Sequence, residues 1–168
     1  FSLDCNGHSI TPGAGESVYG IISQVTSKIR IENCEIKGWD YGVKATSNSS
    51  INNNVFSNNG VGLFLEGVGA EIAEANNNAF QSTQAADIVL QSAEAELNEN
   101  TACSSVDETY NGNNFYCLQS RATGENVFLK SNCEGLTQEP CPRIQKPKTA
   151  FSTKMKIFKP ITTAIKAG

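Results

Sequence analysis

Apolar and polar positions alternate in short bursts along most of this chain, and the bursts return in the same order. Ile29 and Ile31 alternate with charged neighbours; an Asn33-Cys34 step follows, then Ile36, a bend at Gly38 and a Tyr41-Gly42-Val43 step. Period-2 runs of roughly three to five residues, broken by Asn, Gly and Ser, predict short strands. Equivalent steps recur as Tyr19-Gly20-Ile21 and Val61-Gly62-Leu63, and residues 1–5 align with residues 29–34 to within one residue. Ile31, Ile51 and Ala75 form one column; Ile36, Phe56 and Phe80 form a second; Asn33, Asn53 and Asn77 form a third, with Asn54 and Asn78 beside it. Later repeats are looser, at Ala95 to Cys103 and at Asn126 to Cys133, with an excursion over residues 104–114 placed between them.

Recurrence at roughly 20–25 residues with no helical period states an architecture of stacked turns. Strands this short cannot fold alone. Stacked in parallel about 4.8 Å apart, each hydrogen-bonds to the turns above and below, and the apolar columns fill a narrow core. Asn suits the bends because it tolerates left-handed backbone and its amide can hydrogen-bond along the stack. An antiparallel sandwich would not require the same residue type at matching points of successive segments. The expected fold is therefore all-β, a parallel β-helix of about six short rungs over residues 1–142, followed by a basic, Pro-containing arm over residues 143–168.

Charge sharpens that boundary. All 17 acidic residues precede residue 140, whereas Arg143, Lys146, Lys148, Lys154, Lys156, Lys159 and Lys166 supply seven of the 13 basic ones. The acidic body and the basic arm are hidden in a total of −4. Pro140, Pro142 and Pro147 predict an extended linker between them. Within the arm, Lys154-Met155-Lys156-Ile157 alternates like a strand, while Ile157, Phe158, Ile161 and Ile165 could form one face of a short helix after Pro160. An acidic body would repel nucleic acid, so that partner is not expected. The longest apolar stretch, residues 60–73, is broken by Glu66 and Glu71, so no membrane span is expected. Phe1 reads as a processed end or the start of a fragment.

The segments LDCNGHSI (residues 3–10), IRIENCEIKGWDYGVKA (residues 29–45) and SINNNVFSNNGVGLFL (residues 50–65) resemble the right-handed parallel β-helix repeat family. This superfamily includes pectate lyases, NosD-like periplasmic proteins and repeats of microbial and archaeal surface proteins. The resemblance implies fold more than function, because the same coils serve enzymes, adhesins and scaffolds.

Six cysteines with no CxxC spacing and a single His argue for disulfides in an oxidising, extracytoplasmic compartment rather than zinc. Within the stacked repeats, Cys5 and Cys34 occupy matching points of adjacent rungs, as do Cys103 and Cys133 in the looser half, which leaves Cys117 with Cys141. Six cysteines admit fifteen pairings, and buried free thiols are the alternative. Asn48-Ser49-Ser50 is the one sequon, so Asn48 is the glycosylation candidate.

No catalytic set stands out. The aspartates Asp4, Asp40, Asp87 and Asp107 are scattered, and the paired acids that glycoside cleavage needs are not evident. Glu32 and Glu35, with Arg30 and Lys37, could line one face, and His8 sits in a turn. The Glu71, Glu74, Glu94, Glu96 and Glu99 series lacks the spacing of a calcium loop. Tyr19, Trp39 and Tyr41 could share a flank that stacks on sugar rings. No cofactor or metal is expected.

A solenoid leaves open strand edges at its ends. The expected function is that of an extracellular or cell-surface structural solenoid that assembles with copies of itself. Rung one, through Phe1 and Leu3, and the arm, through Lys154, Met155, Lys156, Ile157, Phe158, Lys159, Ile161 and Ile165, would supply the interface. A carbohydrate-binding or degenerate carbohydrate-active β-helix, with a surface polysaccharide as partner, is the alternative.

Overall fold

The computed structural model describes residues 1–142 except residues 16, 24–27, 47 and 68–70; residues 143–168 lie outside the described residues, and with them the arm candidates named above. Alternating apolar positions form three strands per turn, one for each side of a triangular coil. Turn one is β1 (Ser2–Asp4), β2 (Ser9–Ile10) and β3 (Tyr19–Ile22), and turn two is β4 (Ile29–Glu32), β5 (Glu35–Lys37) and β6 (Tyr41–Thr46). Turn three is β7 (Ser49–Asn52), β8 (Val55–Ser57) and β9 (Val61–Glu66); turn four is β10 (Ile72–Asn76), β11 (Ala79–Gln81) and β12 (Ala86–Gln91). Turn five is β13 (Glu94–Asn98), β14 (Thr101–Ala102) and β15 (Phe115–Leu118). Beyond these five complete turns, β16 (Arg121–Phe128) runs along two sides as one strand and β17 (Leu136–Glu139) pairs with it. The expectation of about six rungs is met by five full turns and a partial sixth.

Every pairing between these strands is parallel, and the coil has three sides: a first sheet begun by β1, a second begun by β2 and a third begun by β3. The register follows the sequence columns. Ile31 pairs with Ile51 and Ile51 with Ala75; Ile36 pairs with Phe56 and Phe56 with Phe80. These side chains are almost wholly buried, and the rings of Phe56 and Phe80 stack at 4.9 Å.

The first corner sets the shape of the coil. Asn33, Asn53 and Asn77 adopt positive φ there, and the residue after each turns inward. In turns three to six that inward residue is Asn54, Asn78, Asn100 and Asn126, all buried. In β16 the left-handed residue is missing, so the strand passes the corner without a break. Gly124 takes φ +127° there, and a Cβ on it would lie 1.8 Å from the Leu97 carbonyl oxygen.

Gly62, at the start of β9, is held for another reason. A Cβ there would lie 2.6 Å from the Phe80 ring and 2.7 Å from the Asp87 carbonyl oxygen. Gly62→Ala is expected to destabilise the coil by about 2 kcal/mol through overpacking, read as a shift in urea midpoint at unchanged slope.

Candidate functional site

The acidic pair at the first corner does not converge. Glu32 on β4 binds Arg30 at 2.7 Å, and Glu35 on β5 binds Lys37 at 3.1 Å, each on its own side of the coil. These are exposed ion pairs of little energetic weight. His8 lies exposed in the bend between β1 and β2. Asp4 is held below the usual carboxylate range by the backbone N–H of Asn6, then by the Asn33 amide and Arg30. The later acids form a surface rather than a centre. Glu74 and Glu96 are register partners on the outer face of the first sheet, and Glu94 is the partner of Arg121. No group of three or more His, Cys, Asp or Glu among the described residues could hold a metal ion.

The aromatic flank divides. Trp39 packs against the main core and donates its Nε1–H to the Ile10 carbonyl at 3.2 Å. Tyr19 and Tyr41 remain on the outer face of the third sheet, with rings stacked at 5.4 Å, and Phe64 meets Tyr41 edge-on at 5.8 Å. Higher on the same face, Val61, Ala86 and Val89 form a second small core under Tyr110 of the excursion and Tyr116 of β15. The expected three-ring shelf is therefore a two-ring stack, and the part of the flank under Tyr110 is covered.

Asn48 is half-exposed in the bend before β7, and Ser50 is buried with its hydroxyl directed to Glu74 at 3.4 Å. The disulfides are Cys5–Cys34, Cys103–Cys141 and Cys117–Cys133, with Cα separations of 4.8, 5.7 and 5.1 Å. Cys5–Cys34 is as expected. The pairings Cys103–Cys133 and Cys117–Cys141 are corrected, because the excursion lies inside turn five, between β14 and β15, and not between two turns. Phe115 bridges to Ser131, so Cys133 stands above Cys117.

Sequence reasoning named Phe1 and Leu3 of the first turn but missed Val18 and Ile22 beside them and one buried acid. Phe1, Val18, Tyr19 and Ile22, four of the seven exposed large apolar side chains among the described residues, cluster on turn one. Leu3, Ile10 and Ile21 are only partly buried, whereas their neighbours in turn two, Ile31, Ile36 and Val43, are fully buried. Asp87 is wholly buried, and burial pushes its carboxyl up to about 6 against the opposing pulls of Thr83 and Asn114. Its replacement of glycine in the Gly20-Gly42-Gly62 column was the available signal.

A coil of parallel turns, stapled near both ends by disulfides and carrying a buried amide ladder, defines a parallel β-helix protein. The chain belongs to the family described as periplasmic copper-binding protein (NosD), which it matches over residues 7–138, within the right-handed parallel β-helix class. Comparison with curated proteins and with solved structures gave no match. No helix among the described residues is long and apolar enough to cross a membrane.

Proposed function

We propose that this chain is a structural β-solenoid of the cell exterior that assembles head-to-tail with further copies of itself. The observation that carries this reading is the apolar first turn. Val18 is 51% exposed and Ile22 43%, and the outer edges of β1, β2 and β3 pair with no other strand among the described residues. Such an edge invites strand addition, and an end-on contact between unlike surfaces propagates. The arm, residues 143–168, adds charge complementarity. Its seven cations would lie along the first sheet of a neighbouring copy, where Asp4, Glu32, Glu74, Glu94 and Glu96 stand against Arg30 and Arg121.

Copper, named in the family description, does not enter this reading. All six cysteines are oxidised, the single His is alone in a bend, and the single Met, Met155, lies outside the described residues. These donors do not fit the soft sulfur and imidazole sets that hold copper. A surface polysaccharide as second partner rests on the exposed Tyr19–Tyr41 stack.

Sedimentation of the full chain, with negative-stain imaging, tests the assembly. Species larger than monomer are expected at micromolar concentration. Val18→Lys with Ile22→Lys, both on exposed positions, is expected to raise the concentration needed for assembly at least about tenfold. A strictly monomeric wild type, or assembly indifferent to these lysines, overturns the proposal.

A further inference from the structure

The third sheet starts, in turns one to three, with a column of glycines: Gly20, Gly42 and Gly62 precede the register-matched Ile21, Val43 and Leu63. In turns four and five the column becomes Asp87 and Asn114, which precede Ile88 and Phe115. Room for the larger side chain comes with one extra residue before β12: five residues separate Phe56 from its partner-column residue Val61, and six separate Phe80 from Ala86.

Asp87 Oδ2 accepts a hydrogen bond from Asn114 Nδ2 at 2.7 Å. The same amide nitrogen donates to the Ser104 carbonyl at 2.8 Å, and Asn114 Oδ1 accepts from the Lys130 backbone N–H at 3.1 Å. Ser104 and Asn114 are the first and last residues of the excursion, so one carboxyl, through one amide, fastens both its ends. Between them Asp107 caps the short 3-10 turn Glu108–Tyr110, which lays Tyr110 against Tyr116 at 5.1 Å over Val61, Ala86 and Val89. Cys103–Cys141 and Cys117–Cys133 bracket the excursion and serve as fixed hinges.

We propose that the Asp87–Asn114 junction is a proton-controlled latch: protonated Asp87 clamps the excursion over the apolar flank, and ionised Asp87 releases it.

The other Asp87 oxygen, Oδ1, and the Thr83 hydroxyl are buried and make no regular hydrogen bond among the described residues. Thr83 nonetheless acts on the carboxyl, and with Asn114 it is the only group that opposes the desolvation. Among the described residues no cation compensates a charge at Asp87. Lys130 Nζ is engaged by the Asn111 carbonyl. Asp107 and Glu108 are exposed on the excursion itself. Tyr41, Tyr110 and Tyr116 lie on the outer flank, where burial and then Tyr41 raise Tyr110. None of these six shifts Asp87.

The sign follows. Clamped, the carboxyl titrates near 6, above the ordinary 3.8 of an opened and solvated one. The clamp is therefore complete below the ordinary value and is lost as pH rises through about 6. A difference of about two pH units corresponds to roughly a hundredfold change in the opening equilibrium.

Amide hydrogen exchange of the full, oxidised chain, corrected for intrinsic rates, tests this at Asp107, Asn113 and Asn114, whose N–H groups bond to Gln84, Tyr110 and Lys130. Protection at these amides is expected to fall roughly a hundredfold between pH 3 and 7 in the wild type, about tenfold of it above pH 5, and to stay level in Asp87→Asn. Thr83→Val removes a group that favours the ionised form, so its midpoint is expected at higher pH. A flat wild-type profile, or an unchanged profile in Asp87→Asn, overturns the proposal. Should Asp87→Asn not fold by circular dichroism, an unmoved midpoint in Thr83→Val overturns it instead.

Discussion

Asn78→Ala is expected to lower the unfolding free energy by about 4 kcal/mol, more than its loss of volume accounts for. Asn78 is buried at the first corner, where its Oδ1 accepts from the Asn54 backbone N–H at 2.9 Å and from Asn54 Nδ2 at 3.1 Å. Its own Nδ2 donates to the Ile51 carbonyl at 2.8 Å and to Asn100 Oδ1 at 3.0 Å. Alanine removes both sides of that exchange and leaves a buried N–H and a buried carbonyl without partners, each costing about 1–3 kcal/mol. The chain continues above and below: Asn54 Oδ1 accepts from the Cys34 N–H, Asn126 Oδ1 from Asn100, and Asn126 Nδ2 donates to Leu97. Because the amides polarise one another, a break in the middle exceeds one at the end. Asn126→Ala is therefore expected to cost less, and equilibrium urea unfolding of both variants at one pH measures the difference. Equal costs would show four independent caps instead of a ladder.

That ladder was half visible in the sequence. Asn33, Asn53 and Asn77 recur with Asn54 and Asn78 beside them, which is enough to place the corner, because Asn is the residue that accepts left-handed backbone. It does not tell the two columns apart. The structure does: the first of each pair carries the positive φ and the second points inward. Glu99 then takes the left-handed place before the buried Asn100, a substitution that the repetition of Asn concealed. Apolar columns were legible for a similar reason, since Ile over Ile and Phe over Phe demand identity across turns.

Legibility ended where turns stopped being equal in length. The excursion adds its residues inside turn five, and β16 loses the left-handed residue at its corner, so a frame counted from Cys103 arrives at Cys133 when the structural neighbour of Cys133 is Cys117. Asp87 escaped for a physical reason. A carboxylate in a strand reads as solvent-facing, and only the register shows that its position is the inward one held by glycine in earlier turns. The carboxylates of the first sheet form no centre because outward alternation spreads them along the coil with spacing fixed by the strands.

The second large effect is expected from the C-terminal staples. Each turn of a solenoid is held by its neighbours, and among the described residues the last turns have a neighbour on one side only, so they are expected to open first. Turns three and four rely on the ladder and packing; Cys117–Cys133 joins turn five to the partial sixth turn, and Cys103–Cys141 reaches from turn five beyond β17. The sequence separations are 16 and 38 residues, for which chain entropy gives about 3–4 kcal/mol each. Replacing all four cysteines by Ser is expected to remove about 6 kcal/mol from the terminal part and to split unfolding into two transitions. β15 to β17 would leave first. Hydrogen exchange gives the spatial readout: the Val127 amide, bonded to the Asn100 carbonyl, is expected to lose protection, while the Val55 amide, bonded to the Cys34 carbonyl, keeps it. Breaking Cys5–Cys34 in turn should release the first turn from the second and leave Val127 protected. A single transition with uniform loss of protection would instead mean that the coil unfolds as one unit, and that the staples act on the unfolded chain without securing the ends.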